Sequence, residues 1–243
     1  MIRELRSAAE LRAACGDDDL VMWAAQSSGS GGRAWVLGDA VVAGAPAISR
    51  RDRLAVAGGA SSAVELVRHA LAELGPSYRP FGDVDLVAAV TAKLDGLEES
   101  GRFSWMSLSG GVPEAGGGVG WLGGDAEVAA LLAAAAPDSY AVPGVAGVRR
   151  WAGLRDGGEL AAVAADAWSA PTVGFLAGVA TRPSLRGRGL AERVCRWVSR
   201  ELVAAHGRAA LMVDDDNAAA ITVYERIGYR RRRVMASHPI GGG

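Results

Sequence analysis

Apolar residues recur at every fourth position between residues 190 and 202, as Leu190, Val194, Val198 and Leu202. This spacing places them on one face and predicts a helix that begins near residue 190. A strand-like run from Thr172 to Thr181 comes before it and is stopped by Pro183. Between the two lies Arg186-Gly187-Arg188-Gly189-Leu190-Ala191. The pattern therefore predicts a strand, a glycine-bearing loop and a helix N-terminus in succession.

This loop has the features of an anion site. The first N–H groups of a helix have no partner inside the helix, and the helix dipole adds partial positive charge there. Gly187 and Gly189 let a ligand approach closely because they carry no side chain. Arg186 and Arg188 add charges that suit phosphate oxygens. The spacing fits neither the G-x-G-x-x-G of dinucleotide folds nor the G-x-x-x-x-G-K-[ST] of nucleoside triphosphatases, so we expect a phosphate site of another kind.

The rest of the second half alternates strands and helices. We predict, in chain order, a helix Asp125–Ala136, a hairpin of Val148–Leu154 and Glu159–Trp168, the strand and helix on either side of the loop, a strand Ala209–Val213, a helix Asn217–Ile227 ended by Gly228, and a closing strand Tyr229–Ala236. The strand Ala209–Val213 should be buried and parallel to the strand before the loop. A ligand should lie where the carboxyl ends of these two strands part.

The first half repeats part of this plan. We predict a helix Glu4–Ala14, a strand Leu20–Ala25, a glycine-serine loop Ser27–Gly32, a hairpin of Ala34–Leu37 and Ala40–Ala45, a strand Leu54–Ala57, helices Ala63–Leu74 and Val84–Leu94, and a strand Phe103–Leu108. The glycines at 58 and 59 again join a strand to a helix, but without arginines. The glycine-rich stretch 109–118 is the best linker candidate. The expected domains are therefore residues 1–108 and 119–243.

Composition excludes several classes of protein. The chain has 243 residues, half of them hydrophobic, and a net charge of −1, so nothing favours nucleic acid or an anionic membrane as a partner. Cys15 and Cys195 lie far apart, which argues against a disulfide framework or a zinc site and fits a reducing compartment. The first fourteen residues suggest a charged amphipathic helix rather than a signal peptide, and no run reaches the roughly 18–20 apolar residues of a membrane span. We expect a cytoplasmic monomer or homodimer without a metal.

Two motifs in the second half point to one family. The strand and loop read V-x-T-x-P followed by R-x-x-G-x-A, and the later helix reads N-x-x-A-x-x-x-Y-x-x-x-G-[FY], formed by Asn217, Ala220, Tyr224, Gly228 and Tyr229. In the order and spacing of these motifs, residues 118–237 resemble the GNAT superfamily of N-acetyltransferases. The resemblance implies an α/β fold with a mixed sheet in the second half. The first half would be either a degenerate GNAT-like half or an unrelated α/β cap, packed against it.

The resemblance also implies a role for particular residues. The family's R/Q-x-x-G-x-G/A loop receives the pyrophosphate of acetyl-CoA, which here implies Arg186, Gly187, Arg188, Gly189, Leu190 and Ala191. Backbone groups of Val179 and Thr181 would bind the pantetheine arm, and the Val179 amide would polarise the thioester carbonyl. Asn217 would contact the cofactor, and Tyr224 would be the general acid that reprotonates the coenzyme A sulfur. The alternative for Tyr224 is an aromatic side chain packed in the core.

The implied reaction is transfer of an acetyl group from acetyl-CoA to a primary amine of a small molecule, an amino acid or a peptide. A non-catalytic acyl-CoA-binding regulatory module is the alternative function. The small residues Gly174, Ala177 and Gly178 leave room for a longer acyl group. The general base is open: it is a carboxylate from the run Asp214–Asp216 or a water molecule, with Glu159 and His238 as weaker candidates. The three aspartates could equally be solvated, with Asp216 capping the helix after it.

Overall fold

A computed structural model of the protein describes residues 1–26, 32–114 and 116–240. The first part of the chain forms β1 (Arg3–Leu5), α1 (Ala8–Cys15), α2 (Asp19–Ala24), β2 (Arg33–Leu37), β3 (Ala40–Ile48), β4 (Arg51–Ala57), α3 (Ala60–Leu74), β5 (Arg79–Asp83), α4 (Val84–Lys93) and β6 (Leu97–Ser109). The second part forms β7 (Val119–Trp121), α5 (Ala126–Ala135), β8 (Val148–Asp156), β9 (Glu159–Ala167), β10 (Gly174–Thr181), α6 (Leu190–His206), β11 (Arg208–Asp214), α7 (Ala218–Ile227) and β12 (Arg230–Pro239). The predicted α/β class with a mixed sheet is confirmed.

The chain divides into two compact units. Unit 1 contains residues 1–105, 213–216 and 232–243, and unit 2 contains residues 106–212 and 217–231. Three strands, β6, β11 and β12, therefore contribute residues to both units. The domain bounds of 1–108 and 119–243 stay a prediction.

Unit 1 is built on a sheet in the order β1-β2-β3-β4-β5-β12. Neighbouring strands are antiparallel except β4 and β5, which are parallel over Arg53–Val56 and Arg79–Gly82. The last strand of the chain lies beside β5 in this sheet, because Val234, Met235 and Ala236 pair with Asp83, Gly82 and Phe81. A core of buried apolar side chains forms between the sheet and the helices α3 and α4, including Trp35, Leu54, Leu66, Val67 and Val90.

The prediction of a strand at Leu20–Ala25 was wrong. The residues form helix α2, in which Leu20, Val21, Met22, Trp23 and Ala24 are all buried. An apolar run that is buried on every side shows no periodicity, so its pattern cannot separate a strand from a helix. The deciding signal is the N-cap residue Asp18, because its side chain accepts a hydrogen bond from the Val21 N–H at 3.0 Å and starts the helix.

The first predicted helix begins four residues later than expected, at Ala8 rather than Glu4. Arg3–Leu5 instead form the edge strand β1 beside β2. Side-chain caps explain the change: the N-cap Ser7 Oγ accepts from the Glu10 N–H at 3.2 Å, and a Glu10 carboxylate oxygen accepts from the N–H of the preceding Arg6 at 2.8 Å. The strands β5 and β7 were not predicted, and residues 27–31 of the predicted loop Ser27–Gly32 lie outside the described residues.

Unit 2 is built on a sheet in the order β11-β10-β9-β8-β7. The strands β7 to β10 are antiparallel, whereas β10 and β11 are parallel, as predicted. The apolar face predicted for the long helix is confirmed, because Val194, Val198 and Leu202 of α6 are fully buried. The predicted order of three strands, helix, strand, helix and strand is also confirmed.

The same order of elements recurs in the first half of the chain. Three antiparallel strands, β2, β3 and β4, lead into α3, then β5 parallel to β4, then α4 and β6. The second half follows this order with β8, β9, β10, α6, β11, α7 and β12. The first half therefore has the strand order that an internal duplication requires.

Candidate active site

The strand β10 leaves its parallel neighbour soon after it begins. Its pairing with β11 covers Gly174 and Phe175, while β10 continues to Thr181. On its other side, Ala177 lies opposite Ala165 and Ala180 opposite Val163, so β10 contains one extra residue between these pairs. This β-bulge includes Gly178, whose φ of +62° favours glycine. The backbone groups of Val179, inside the bulge, and of Thr181, after it, lie on an edge that β11 does not pair with.

The loop after β10 leads into the N-terminus of α6. The Arg182 N–H donates to the Ala161 carbonyl at 2.8 Å, and a short 3₁₀ turn, Pro183–Leu185, follows. Gly187 and Gly189 have φ values of +78° and +72°, and a Cβ built on either would lie more than 4 Å from every atom of the other described residues, its chain neighbours apart. Glycine is therefore favoured here by backbone conformation, and the space above the loop is open.

The N-terminus of α6 has no side-chain cap. Gly189 is the N-cap residue, and the first helical bond runs from the Arg193 N–H to the Gly189 carbonyl at 3.2 Å. The preceding N–H groups, those of Leu190, Ala191 and Glu192, therefore have no carbonyl partner within the helix. Together with the dipole of a seventeen-residue helix, they form a site of partial positive charge at the exposed end of the loop.

The loop arginines are exposed and hold weak contacts. Arg186 Nη2 donates to the Ala135 carbonyl at 3.0 Å, at the C-terminal end of α5. Arg188 Nη1 lies 3.6 Å from an Asp156 carboxylate oxygen, and both side chains are more than half exposed. Exposed contacts of this kind contribute at most about 1 kcal/mol, so a phosphate could replace them at low cost.

Helix α7 begins at Asn217 and carries Tyr224. The Asn217 Oδ1 accepts from the Ala220 N–H at 3.1 Å, so the helix cap is Asn217 rather than Asp216. Its side-chain amide nitrogen is left to donate to a ligand. Tyr224 lies two turns further on and is buried, with its ring 5.9 Å from that of Tyr229. Among the described residues, no hydrogen-bond partner contacts the Tyr224 hydroxyl.

The surroundings of Tyr224 keep its hydroxyl protonated. Burial raises its pKa well above the ordinary value, and Cys195 and Tyr229 raise it further. Burial also raises the pKa of the Cys195 thiol to about 12, so both groups are neutral at neutral pH. Tyr229 shares a 2.8 Å hydrogen bond with Ser199. The sequence motif includes Tyr224 and Tyr229, but Cys195 beside Tyr224 and Ser199 beside Tyr229 were not singled out because they come from another helix.

The candidate bases have structural partners. Asp215 accepts from Ser104 Oγ at 2.6 Å and from Arg233 Nε at 3.1 Å, both within unit 1. His238 pairs with Glu98 at 3.0 Å, and Glu159 lies 3.3 Å from Arg182. Asp214 and Asp216 are exposed, as expected for solvated carboxylates. Asp214, Asp216 and a water molecule therefore stay candidates for the general base, whose identity remains a prediction.

No group of three or more His, Cys, Asp or Glu side chains in the described part of the chain is arranged to hold a metal ion. In the same residues, no helix combines the length and the apolar character needed to cross a membrane.

Comparison with known proteins gives one family for the second half. Residues 151–236 match the family model of FR47-like proteins. No functionally curated protein matches the chain. A solved GNAT-family protein from Novosphingobium aromaticivorans is 26% identical, with a TM-score of 0.52 over 84% of this chain and 88% of that one.

Two further solved structures match almost the whole chain. A GCN5-related N-acetyltransferase from Kribbella flavida is 22% identical, with a TM-score of 0.60 over 96% of each chain. One from Sphaerobacter thermophilus is 15% identical, with a TM-score of 0.57 over 98% of this chain and 94% of that one. The match therefore extends across both halves and is not limited to the motifs.

Proposed function

Because this chain is an acyltransferase of the GNAT superfamily, we propose that it transfers the acetyl group of acetyl-CoA to a primary amine of a small molecule, an amino acid or a peptide. The observation that carries the proposal is the crossover from β10 to α6. There an unpaired strand edge, an open glycine loop and an uncapped helix N-terminus follow one another within unit 2. Acetyl-CoA has the matching groups in the same order, because its thioester and extended arm suit the strand edge and its diphosphate suits the loop and the helix N-terminus.

Different residues of the crossover bind different parts of acetyl-CoA. The backbone of Val179 and Thr181 binds the pantetheine arm, as one more strand would pair with β10. The N–H groups of the loop and of the first turn of α6 bind the pyrophosphate, with Arg186 and Arg188 supplying full charges. Asn217 donates its side-chain amide N–H to the same ligand while its oxygen caps α7.

Two groups act on the reacting atoms. The Val179 amide donates to the thioester oxygen, where negative charge develops as the amine attacks, and one such donor contributes about 10²- to 10³-fold to kcat. The Tyr224 hydroxyl donates its proton to the departing thiolate, which leaves as the neutral thiol. The attacking amine loses its surplus proton to the general base or to a water molecule, and the tyrosinate regains a proton from solvent. The hydroxyl is protonated at neutral pH, which donation requires, because burial raises its pKa well above the ordinary value.

Calorimetric titration with acetyl-CoA tests the binding step. Arg186→Glu places a negative charge beside the loop and should weaken binding by about 100-fold or more, since like charges at a binding site cost several kcal/mol. Arg200→Ala is the control, because Arg200 lies on α6 outside the loop and forms a long ion pair with Glu114, at 3.8 Å. Equal affinity of all three proteins would remove the loop from the site.

Thiol release tests the transfer step. Wild-type protein is incubated with acetyl-CoA and a panel of primary amines, and free coenzyme A is measured. Amine-dependent release supports the transferase. Binding of acetyl-CoA without release on any amine would instead support the regulatory module, in which occupancy alone is the signal.

A further inference from the structure

We infer that Trp151 is a positioning residue for the transfer reaction, because its indole ring is the surface against which the bulge at Gly178 is formed. The inference rests on the proposed function, since it concerns how the Val179 amide is aimed at the substrate. It adds a residue from β8 that neither sequence motif includes.

The register of the sheet brings Trp151 to the bulge. Trp151 lies opposite Ala165 of β9, and Ala165 lies opposite Ala177 of β10. Residues directly opposite each other in a sheet project from the same face, so the Trp151 ring extends across β9 towards β10. The strand it crosses is rich in alanine, which leaves room for a long side chain.

The ring fills the space over Gly178. A Cβ built on Gly178 would overlap Cη2 of Trp151, lie 2.7 Å from its Cζ3 and lie 3.1 Å from the Ala141 Cβ. Trp151 is only 3% exposed, so the ring is held on its other sides as well. A side chain at position 178 and the indole ring therefore exclude each other, and glycine at this position is required by contact as well as by its φ of +62°.

The contact explains why β10 keeps its bulge. With the bulge, Ala180 lies opposite Val163. Without it, Val179 would take that place, and residues 179–181 would each turn to the opposite face, since a shift of one residue inverts a strand. The Val179 amide would then point away from its present direction. A rigid ring packed on Gly178 stabilises the bulged register over the regular one.

The shape of the ring, rather than its N–H, carries this role. Trp151 Nε1 is buried and has no hydrogen-bond partner in the described part of the chain. A buried donor without a partner is unfavourable, and phenylalanine would remove that cost. Phenylalanine would also remove the outer ring atoms that contact Gly178. Trp151→Phe should therefore leave the protein folded while loosening the bulge.

A double-mutant cycle tests the contact. Trp151→Phe should lower kcat about 10- to 100-fold, as expected for a small misplacement of a catalytic group, with little change in the KM for acetyl-CoA. Gly178→Ala should lower it further, because the new methyl group meets the ring. In the double variant the shorter ring makes room for the methyl group, so its kcat should exceed that of Gly178→Ala alone. Trp197→Phe, which alters the packing of α6 on Trp121, is the control for loss of an indole elsewhere in unit 2.

Amide hydrogen exchange gives a readout that does not depend on activity. Without any ligand, residues 176–181 should exchange about tenfold faster in Trp151→Phe than in wild type, a change of about 1.4 kcal/mol in local opening, and Trp197→Phe should not alter them. Unchanged exchange, or losses of kcat that simply multiply in the double variant, would overturn the inference. Failure of the wild-type protein to bind acetyl-CoA would overturn the proposed function instead, while the exchange result would still decide whether Trp151 holds the bulge.

Discussion

The two halves of the chain contain the same crossover in two forms. In unit 2, β10 parts from β11 after two paired positions, and eight residues lead to α6. In unit 1, β4 pairs with β5 over four positions, almost to its end, and only Gly58 and Gly59 separate it from α3. The first crossover is open along the strand edge, and the second is closed.

The N-terminus of α6 also has more free space around it than the N-terminus of α3. In the part of the chain that the structure describes, nothing beyond the chain neighbours lies within 4 Å of a Cβ on Gly187 or Gly189. A Cβ on Gly59, by contrast, would lie 2.5 Å from an Asp39 carboxylate oxygen, and one on Gly58 would meet the backbone of Asp39 and Ala40. In unit 1, the helix N-terminus therefore already has an anion beside it, supplied by the chain. The order of strand, glycine and helix does not by itself make a site, because neighbouring groups decide whether a ligand can enter.

The strongest test of the open crossover is Gly189→Glu. It adds a bulky negative charge at the position with φ of +72°, where the phosphate would bind, and should weaken acetyl-CoA binding by at least about 100-fold. Calorimetry measures this. Gly59→Glu, the matched change in unit 1, should lower stability through its clash with Asp39 and leave the acetyl-CoA affinity of the folded fraction unchanged. A reduced affinity in Gly59→Glu would contradict the assignment of the acetyl-CoA site to the crossover of unit 2.

Replacing Tyr224 separates chemistry from binding. Tyr224→Phe should lower kcat about 10- to 1,000-fold, the usual range for lost acid catalysis, with little change in acetyl-CoA affinity. Single-turnover kinetics and calorimetry measure the two quantities. Tyr229→Phe is the control: it loses the hydrogen bond to Ser199 and should cost about 1 kcal/mol in stability while keeping turnover. Normal turnover in Tyr224→Phe would show that this ring serves packing alone.

The buried thiol of unit 2 predicts a loss of stability at alkaline pH. Burial disfavours the charged form of Cys195 and raises its pKa from 9.0 to about 12 in the folded protein. The unfolded chain therefore releases this proton first, so the contribution is fully present below pH 9 and is lost as the pH rises towards 12. Urea unfolding at a series of pH values measures the decline, and Cys195→Val should flatten it. An equal decline in Cys195→Val would assign the effect to other groups.

The smallest expected effect concerns the closed crossover. Asp39→Ala removes the carboxylate beside the N-terminus of α3 and should lower the free energy of unfolding by about 0.3–1 kcal/mol, the usual size of a charge–dipole interaction at the surface. Calorimetry on the same variant measures how many acetyl-CoA molecules bind to each chain. We expect one acetyl-CoA per chain, as for wild type, because β4 stays paired with β5. A second equivalent would show that the carboxylate alone had kept unit 1 from binding.

Local signals allowed most of the elements near the site to be predicted. The four-residue spacing along α6, the proline at 183 and the glycine at 228 each act within a few residues, and all three boundaries agree with the structure to within a few positions. The helix α2 was predicted as a strand because its residues are buried on all sides and show no periodicity. The strand β5 was missed because Pro80 and Gly82 are poor strand formers and are held there by the strands on either side.

The contacts of the site could not be predicted in the same way. The pairing of β10 with β9 sets the bulge, and the ring of Trp151 reaches Gly178 from a strand more than twenty residues earlier in the chain. Likewise, Asp39 blocks the crossover in unit 1 from a turn before β3. Such contacts depend on register and on side-chain reach between distant segments, and a single sequence carries no local pattern for either. The glycine inside β10 was the one available sign of a bulge.

The pairing of β12 with β5 delays completion of the sheet in unit 1 while the protein is being synthesised. Because Val234–Ala236 pair with Phe81–Asp83, β5 receives this neighbour only after about 150 further residues have been made. At a ribosome speed of about 5–20 residues per second, that delay is roughly 8 to 30 seconds. During this interval the nascent first half exposes an unpaired β5 edge, which is open to incorrect pairing. The first half to be translated is therefore among the last parts to be finished.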